Sequence, residues 1–392
     1  MRTVALLDVT VRTDDKPPLN TTTKEFQKMC VSPNAALFTR SLDFPRKQWD
    51  VSFVKGVYQD EIEDTLNRMV DNSLRNGVPA KWSMISCGQC FECRLQRSRV
   101  WANRCVIEAS QYPEEDGVNK NWFVTLTYNP DSVDDLWNDE KSGLSLHQPD
   151  DGKKDHLQTF NNSIRQKWNR KFDHSGIRFY ASGEYGDTKM RPHYHEILFN
   201  FPIDPSQLKY LFTSDLGHSF YICDDLSDTW QKGHVIVGEA NWNTMAYTAR
   251  YIMKKQLGDG SMMYNELGIK PPFTRMSRMP GIGFNGYKGL ETYFNLDTES
   301  GELALHDTIY LPSDGKRPGS CRPPRYFDNI FKDEFPEYYD LLKRYREQTA
   351  NIQRIVDKAT VPISDRLLFN AKIDAFGKRP KGIYRDFLKN LD

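Results

Sequence analysis

RPHYHEILF, residues 191 to 199, sets two of the chain's eight histidines either side of a tyrosine. Pro192 disfavours a helix, and Tyr194, Ile197, Leu198 and Phe199 suit a strand. In a strand, residues two apart share a face, so His193 and His195 point the same way and fall within reach of one cation. The pattern fits equally a half-buried strand whose alternate face carries polar histidines. The neighbouring segments have to decide between the two.

Just upstream, IRFYASGEYG (177 to 186) reads as a second strand, joined to the first by a short turn containing Gly186. Glu184 lies nine residues before His193, and across an antiparallel pair opposed side chains are about 5 Å apart. A carboxylate so placed completes a His-His-Glu set, a mixed imidazole and oxygen donor group suited to Mg²⁺ or Mn²⁺ with positions left for a substrate oxygen. A surface carboxylate beside a turn is the alternative. Downstream, NTMAYTARYIMKKQL (243 to 257) has helical spacing. Tyr247 and Tyr251 are four apart and Lys254 three further on, so all share one helical side. Two such tyrosines can serve as alternate nucleophiles on phosphorus, with the lysine offsetting phosphate or phenolate charge. A phenol of pKa about 10 attacks poorly until a metal polarises the phosphate. Aromatics at this spacing also occur simply as core packing.

Composition bounds the rest. A chain of 392 residues suffices for two to three domains, or for one with extensions, and 38% hydrophobic with 12% aromatic content describes a soluble globular protein. No apolar run approaches the roughly 20 residues needed to span a bilayer, and the N-terminal VALL is cut off by Asp8. A cytoplasmic protein without membrane contact is expected, its seven cysteines thiols or metal ligands rather than disulfides. Lys and Arg total 53, as do Asp and Glu, so any nucleic-acid surface must be local. Basic residues do cluster: Arg94, Arg97, Arg99 and Arg104; Arg165, Lys167, Arg170 and Lys171; Arg250, Lys254 and Lys255; Arg275 and Arg278. A basic cleft and plain solvated faces both fit that distribution.

Four segments follow: an N-terminal extension (1–29), a cysteine-containing, Arg-rich segment leading into the core (30–110), the core itself (111–289) and a C-terminal extension (290–392). Helices are expected over DEIEDTLNRMVDNSLRNG, stopped at Asn76-Gly77, over about 94 to 110, and over 156 to 172, where Leu157, Phe160, Ile164, Trp168 and Phe172 recur near 3.6 spacing. NWFVTLTY (121–128) and HVIVGEA (234–240) read as strands, 131–155 as an exposed polar loop, and a helical region is expected from near Pro205. The order strand, helix, strand, strand, helix, strand, helix implies an α+β fold with a central antiparallel sheet of the split βαβ kind, helices on its faces. Cys87, Cys90 and Cys93, at C-x2-C-x2-C spacing, can wrap a structural Zn²⁺. Cys105 would lie about 18 Å away along a helix axis, which makes Cys30 the better fourth ligand. An iron-sulfur cluster and free buried thiols are the alternatives. MSRMPGIGFNGY (276–287), flanked by Arg275 and Arg278, is either a strip that tracks DNA or a plain turn.

FVTLTY, the Glu of SGEYG, RPHYHEILF and YTARYIMKK, in this order and spacing, resemble the HUH endonucleases. The tandem YxxxYxxK form is similar to the two-tyrosine initiators of icosahedral single-stranded DNA phages. CGQCFECRLQRSRVWANRC and MSRMPGIG make the likeness closest to the replication initiators of the gokushovirus branch of microviruses, over roughly residues 80 to 288. The resemblance implies the HUH endonuclease sheet and rolling-circle initiation. Glu184, His193 and His195 would hold the catalytic Mg²⁺ or Mn²⁺ against the scissile phosphate of a single-stranded origin. Tyr247 or Tyr251 would attack, leaving a 5′-phosphotyrosine and a free 3′-OH, and the second tyrosine would later cleave the regenerated origin so that the strand is rejoined. Arg94, Arg97, Arg250, Lys255, Arg275 and Arg278 are the candidate DNA contacts. The chain has no G-x-x-x-x-G-K-[ST] loop, so a host helicase and DNA polymerase are implied, acting in the cytoplasm of the bacterial host. A relaxase or transposase of the same superfamily, or a non-catalytic zinc-dependent DNA-binding protein, are the rival readings.

Overall fold

A computed structural model describes residues 34–40, 49–54, 60–88, 91–129, 156–186, 191–214, 217–254, 264, 266, 269–296, 303–311 and 319–360. The N-terminal extension and the polar loop expected over 131–155 lie outside them. The described residues fall into two compact units, one up to Arg97 and one from Ser98 onward.

In the first unit, β1 (Asn34–Arg40) pairs antiparallel with both β2 (Trp49–Val54) and β3 (Ala80–Ile85). Helix α1 (Asp60–Arg75) packs Leu66 and Val70 against Leu37 and Trp82, and the Trp82 indole donates to Asn67 Oδ1 at 2.7 Å. The helix ends where Gly77 takes a φ of +74°, a left-handed value that a side chain would resist. These three short strands were not anticipated. WDVSFV and AKWSMI do alternate apolar with polar residues, but each strand is only six or seven residues long, and mutual pairing completes the sheet.

The second unit is built on a seven-stranded sheet ordered β10-β5-β6-β4-β9-β8-β7, antiparallel throughout. Its strands are β4 (Trp122–Tyr128), β5 (Arg178–Tyr185), β6 (Pro192–Phe199), β7 (Leu208–Thr213), β8 (Ser219–Cys223), β9 (Gly233–Glu239) and β10 (Phe273–Met276). Central strands β4 and β6 are buried nearly end to end because helices cover both faces. On one face, α3 (His156–Phe172) sets Leu157, Phe160, Ile164 and Trp168 onto Val124, Leu126 and Leu198, and α4 (Asp224–Trp230) adds Leu226 and Trp230. On the other, α2 (Phe91–Ala109) contributes Ala102, Cys105 and Val106, and α5 (Trp242–Lys254) contributes Met245, Ala246 and Ala249, against Phe123, Ile197 and Phe220. The protein is therefore mixed α+β with helices on both faces of an antiparallel sheet, as the order of its segments implied.

Two expectations are corrected. The helical region expected from Pro205 is a single 3-10 turn, Pro205–Gln207, followed by the β7–β8 hairpin. Asp204 caps that turn by accepting from the Ser206 amide at 2.9 Å, and Phe212 stacks on Phe220 across the hairpin. Cross-strand aromatic packing decides the outcome where the local pattern was ambiguous. Arg104, one of the clustered basic residues read as either a basic cleft or a solvated face, is instead a structural group. Its guanidinium lies between the Trp101 and Tyr326 rings and donates twice to the Ile282 carbonyl, which pins the MSRMPGIG turn onto α2.

Residues past 290 join the same core. Strands β11 (Phe294–Leu296) and β12 (Leu303–Leu305) pair, as do β13 (Ile309–Leu311) and β14 (Gly319–Cys321). Phe327 and Phe331 of α6 (Arg325–Glu334) and Leu342 of α7 (Pro336–Thr360) are fully buried in the cluster that holds Phe123 and Ile197. Arg346 of α7 bridges Asp307 and Asp328 at 2.6 and 2.9 Å, and Tyr293 donates to Asp328 at 2.7 Å.

Candidate metal centre

Register brings the three predicted ligands together. Glu184 of β5 stands opposite His193 of β6, and His195 stands opposite both Ser182 of β5 and Thr125 of β4. Glu184 Oε1 lies 2.9 Å from His193 Nε2 and 3.4 Å from His195 Nε2, and one ligand atom from each residue falls within 4.8 Å of the other two. All three side chains are at most 7% exposed. Burial alone would push the Glu184 carboxyl up, but hydrogen bonds from His193 and His195 hold it well below the usual carboxylate range. The group is thus a buried carboxylate.

Two contacts orient the imidazoles. His193 Nδ1 is 3.1 Å from the Arg191 carbonyl, which only accepts, so Nδ1 donates there and Nε2 is the ring atom turned toward Glu184. His195 Nδ1 lies 3.0 Å from Thr125 Oγ1, which likewise directs Nε2 inward. Two imidazole nitrogens and a carboxylate oxygen converge here, and a donor set of two imidazoles and one carboxylate suits a divalent metal held at about 2.0–2.2 Å per ligand. The residues present fit the group.

Helix α5 lies over this cluster. Asn241 caps it, accepting from the Asn243 and Thr244 amides at 2.9 and 3.1 Å. Thr244 and Thr248 are buried, and the partly buried Tyr247 ring sits edge-on to His195, centroids 5.1 Å apart, with Phe123 at 6.1 Å. Tyr251 and Lys254 follow on the same helix, but their side chains lie outside the described residues, as do Cys30, Cys90 and Lys255 altogether. Arg250 is half-buried one turn from Tyr247. In the first unit, Arg94 is half-buried, Arg97 is exposed, and the Cys87 and Cys93 sulfurs are 4.0 Å apart. Cys105 is fully buried, and its thiol is pushed well up by that burial.

Arg275 and Arg278 do not join the metal centre. Arg275 stands opposite Ala181, whose side chain belongs to the α3 face, and Arg278 is exposed in the turn that follows β10. Thr125 is the site residue that sequence reasoning missed. Its only signal is its place in FVTLTY, two residues from Phe123 and so on the same strand face.

An antiparallel α+β sheet that presents two histidines and a carboxylate from adjacent strands, beneath a tyrosine-bearing helix, defines the class as a candidate metal-centred protein. The family model for the ORF2 class of replication-associated proteins matches residues 121–256, from β4 past the end of α5. The chain is 32% identical to replication-associated protein ORF2 of Spiroplasma virus 4, over 70% of this chain and 79% of that one. It is 27% identical to replication-associated protein VP4 of Bdellovibrio phage phiMH2K, over 69% and 76%. With replication-associated protein ORF4 of Chlamydia phage 1 it shares 31% identity, over 44% and 38%. The chain belongs to this family of phage replication-associated proteins. No solved structure matches it. Among the described residues, no helix is long and apolar enough to cross a membrane.

Proposed function

We propose that the protein initiates replication of a single-stranded DNA phage genome by nicking and later rejoining one strand at the origin. The observation that carries this reading is Tyr247, whose ring lies against His195 in a cluster of two histidines and a carboxylate. Glu184, His193 and His195 would hold a divalent cation, which would supply Lewis acidity toward a phosphate oxygen. The Tyr247 hydroxyl gives up its proton and attacks phosphorus, and the bond to the 3′ oxygen of the preceding nucleotide breaks. That oxygen takes up a proton to become the 3′-OH primer, while the 5′ phosphate stays on the tyrosine. One phosphodiester bond is exchanged for another, so the later reversal needs no nucleotide hydrolysis. Tyr251 serves the second cleavage on the same helix, and Lys254 offsets phosphate charge. Arg94, Arg97, Arg250, Lys255, Arg275 and Arg278 are proposed contacts to the strand, and strand separation and synthesis fall to a host helicase and polymerase.

A second, structural metal is part of the reading. Two thiolates at about 2.3 Å from a tetrahedral Zn²⁺ stand about 3.8 Å apart, close to the 4.0 Å between Cys87 and Cys93. Cys90 and Cys30 complete the proposed set.

The test is a covalent adduct. Purified protein incubated with its genome's single-stranded DNA and Mn²⁺ should give a DNA-linked band on a denaturing gel, absent with EDTA. The Tyr247→Phe/Tyr251→Phe double variant should give none. DNA binding with no adduct across several metals and origin fragments would leave a non-catalytic DNA-binding protein.

A further inference from the structure

The α3 face of the sheet, opposite the candidate metal centre, holds an open cavity of about 310 Å³. Three arginines line it: Arg165 from α3, Arg275 from β10 and Arg278 from the turn beyond. Arg165 donates Nε to the Ile177 carbonyl at 3.1 Å, and its guanidinium lies over the Phe179 ring at 5.3 Å, which holds the fork in place at the cavity wall. Between the arginines, α3 lines the cavity with three amides, Gln158, Asn161 and Asn162.

Asn161 is the informative one. It is 1% exposed; its Nδ2 donates to the Leu157 carbonyl at 3.1 Å and to Glu196 Oε1 at 2.7 Å, while its Oδ1 makes no hydrogen bond to any described residue. A buried carbonyl without a donor is destabilising, and a ligand N–H would relieve it. The wall carries three guanidinium groups, the buried Asn161 oxygen is an open acceptor, and the volume stands at the small end of ligand cavities.

We propose that this cavity is a second nucleic-acid site, which takes one nucleotide: phosphate on Arg165, Arg275 and Arg278, and the N–H edge of the base on Asn161. Arginine forks match phosphate oxygens, and amide side chains match base edges. The nucleotide can come from a single strand whose next segment runs elsewhere on the protein, or from a free deoxynucleotide. The inference rests on the reading above for the substrate class and for Arg275 and Arg278 as strand contacts, and adds Arg165 and Asn161 as a nucleotide pocket away from the candidate metal ligands.

The test uses full-length protein in EDTA, on a Tyr247→Phe/Tyr251→Phe background, so that cleavage cannot enter the readout. Binding of fluorescein-labelled (dA)6, (dC)6 and (dT)6 is followed by polarisation over a salt series. Arg275→Ala/Arg278→Ala should weaken binding about tenfold or more and lower the salt slope by about two. The exposed Arg278→Ala alone should lower it by about one, with the fold kept. Millimolar dAMP or dCMP displacing the hexamer supports the proposal with a free nucleotide as one source; displacement by unlabelled hexamer alone supports it with a strand as the source. Unchanged affinity and slope in both variants would overturn the proposal, as would inorganic phosphate competing as well as dAMP, which would leave a bare anion site. Failure of the adduct experiment leaves this test standing.

Discussion

Thr125 decides how one histidine is aimed. Its hydroxyl holds His195 Nδ1 at 3.0 Å from the neighbouring strand, so Thr125→Val keeps the shape and removes the partner. Loss of such an outer contact costs about 10–100-fold in metal affinity. Titration of Mn²⁺ followed by electron paramagnetic resonance should show that weakening with melting little changed; unaltered affinity would make the contact incidental. Glu196 is the second residue to single out. Burial raises its carboxyl from an ordinary value near 4.5 to about 8, only partly offset by Asn161 and Arg165. The folded chain then holds a proton that the unfolded chain releases between those values. Stability is fullest below about 4.5 and declines as pH rises toward 8, by up to about 1.4 kcal/mol per unit. Glu196→Gln mimics the neutral form, so in urea titrations its advantage over the parent should grow from pH 5 to pH 8. A difference independent of pH would refute the neutral carboxyl.

At the scale of elements, local pattern and pairing divide the work. The spacing of Leu157, Phe160, Ile164 and Trp168 predicted α3 with its observed ends, because one apolar stripe meets one sheet face. The hairpin after Pro205 was misread because its apolar residues fit a helix or a strand, and Phe220 across the turn settles it. The proposed zinc set belongs to this scale too, since Cys87 follows β3 and Cys93 opens α2. Metal analysis of reduced, freshly purified protein should return about one zinc per chain, and Cys87→Ser should lose it along with several degrees of melting temperature. Protein that melts identically with and without a strong chelator, and carries no zinc, would sink that assignment.

At the scale of the whole molecule, the segment past 289 is structural. Tyr293, Phe327, Phe331 and Leu342 are buried against the sheet face that carries the Glu184, His193 and His195 cluster. Each buried side chain of this kind contributes about 1.5–3 kcal/mol, against a typical net stability of about 5–15 kcal/mol. A chain ending at residue 289 should therefore fail to unfold cooperatively or be recovered insoluble. A soluble fragment with the parent's melting temperature would show that the segment is an appendage.

By itself the sequence determined what depends on short-range period: the His-Tyr-His strand, the glutamate strand beside it, the helix that carries Tyr247, and the α+β order that lets them meet. Alternation by two and by 3.6 is a property of the backbone, so a local pattern is enough to read it. Tertiary structure decided the rest. Thr125 became a partner of His195 only through the β4–β6 register, and Arg275 fell on the face opposite the metal centre only through its pairing with β5. Arg104 was taken from the surface by two aromatic rings and a carbonyl far along the chain. Long-range pairing and burial set each of these, and neither leaves a periodic trace in the residues concerned.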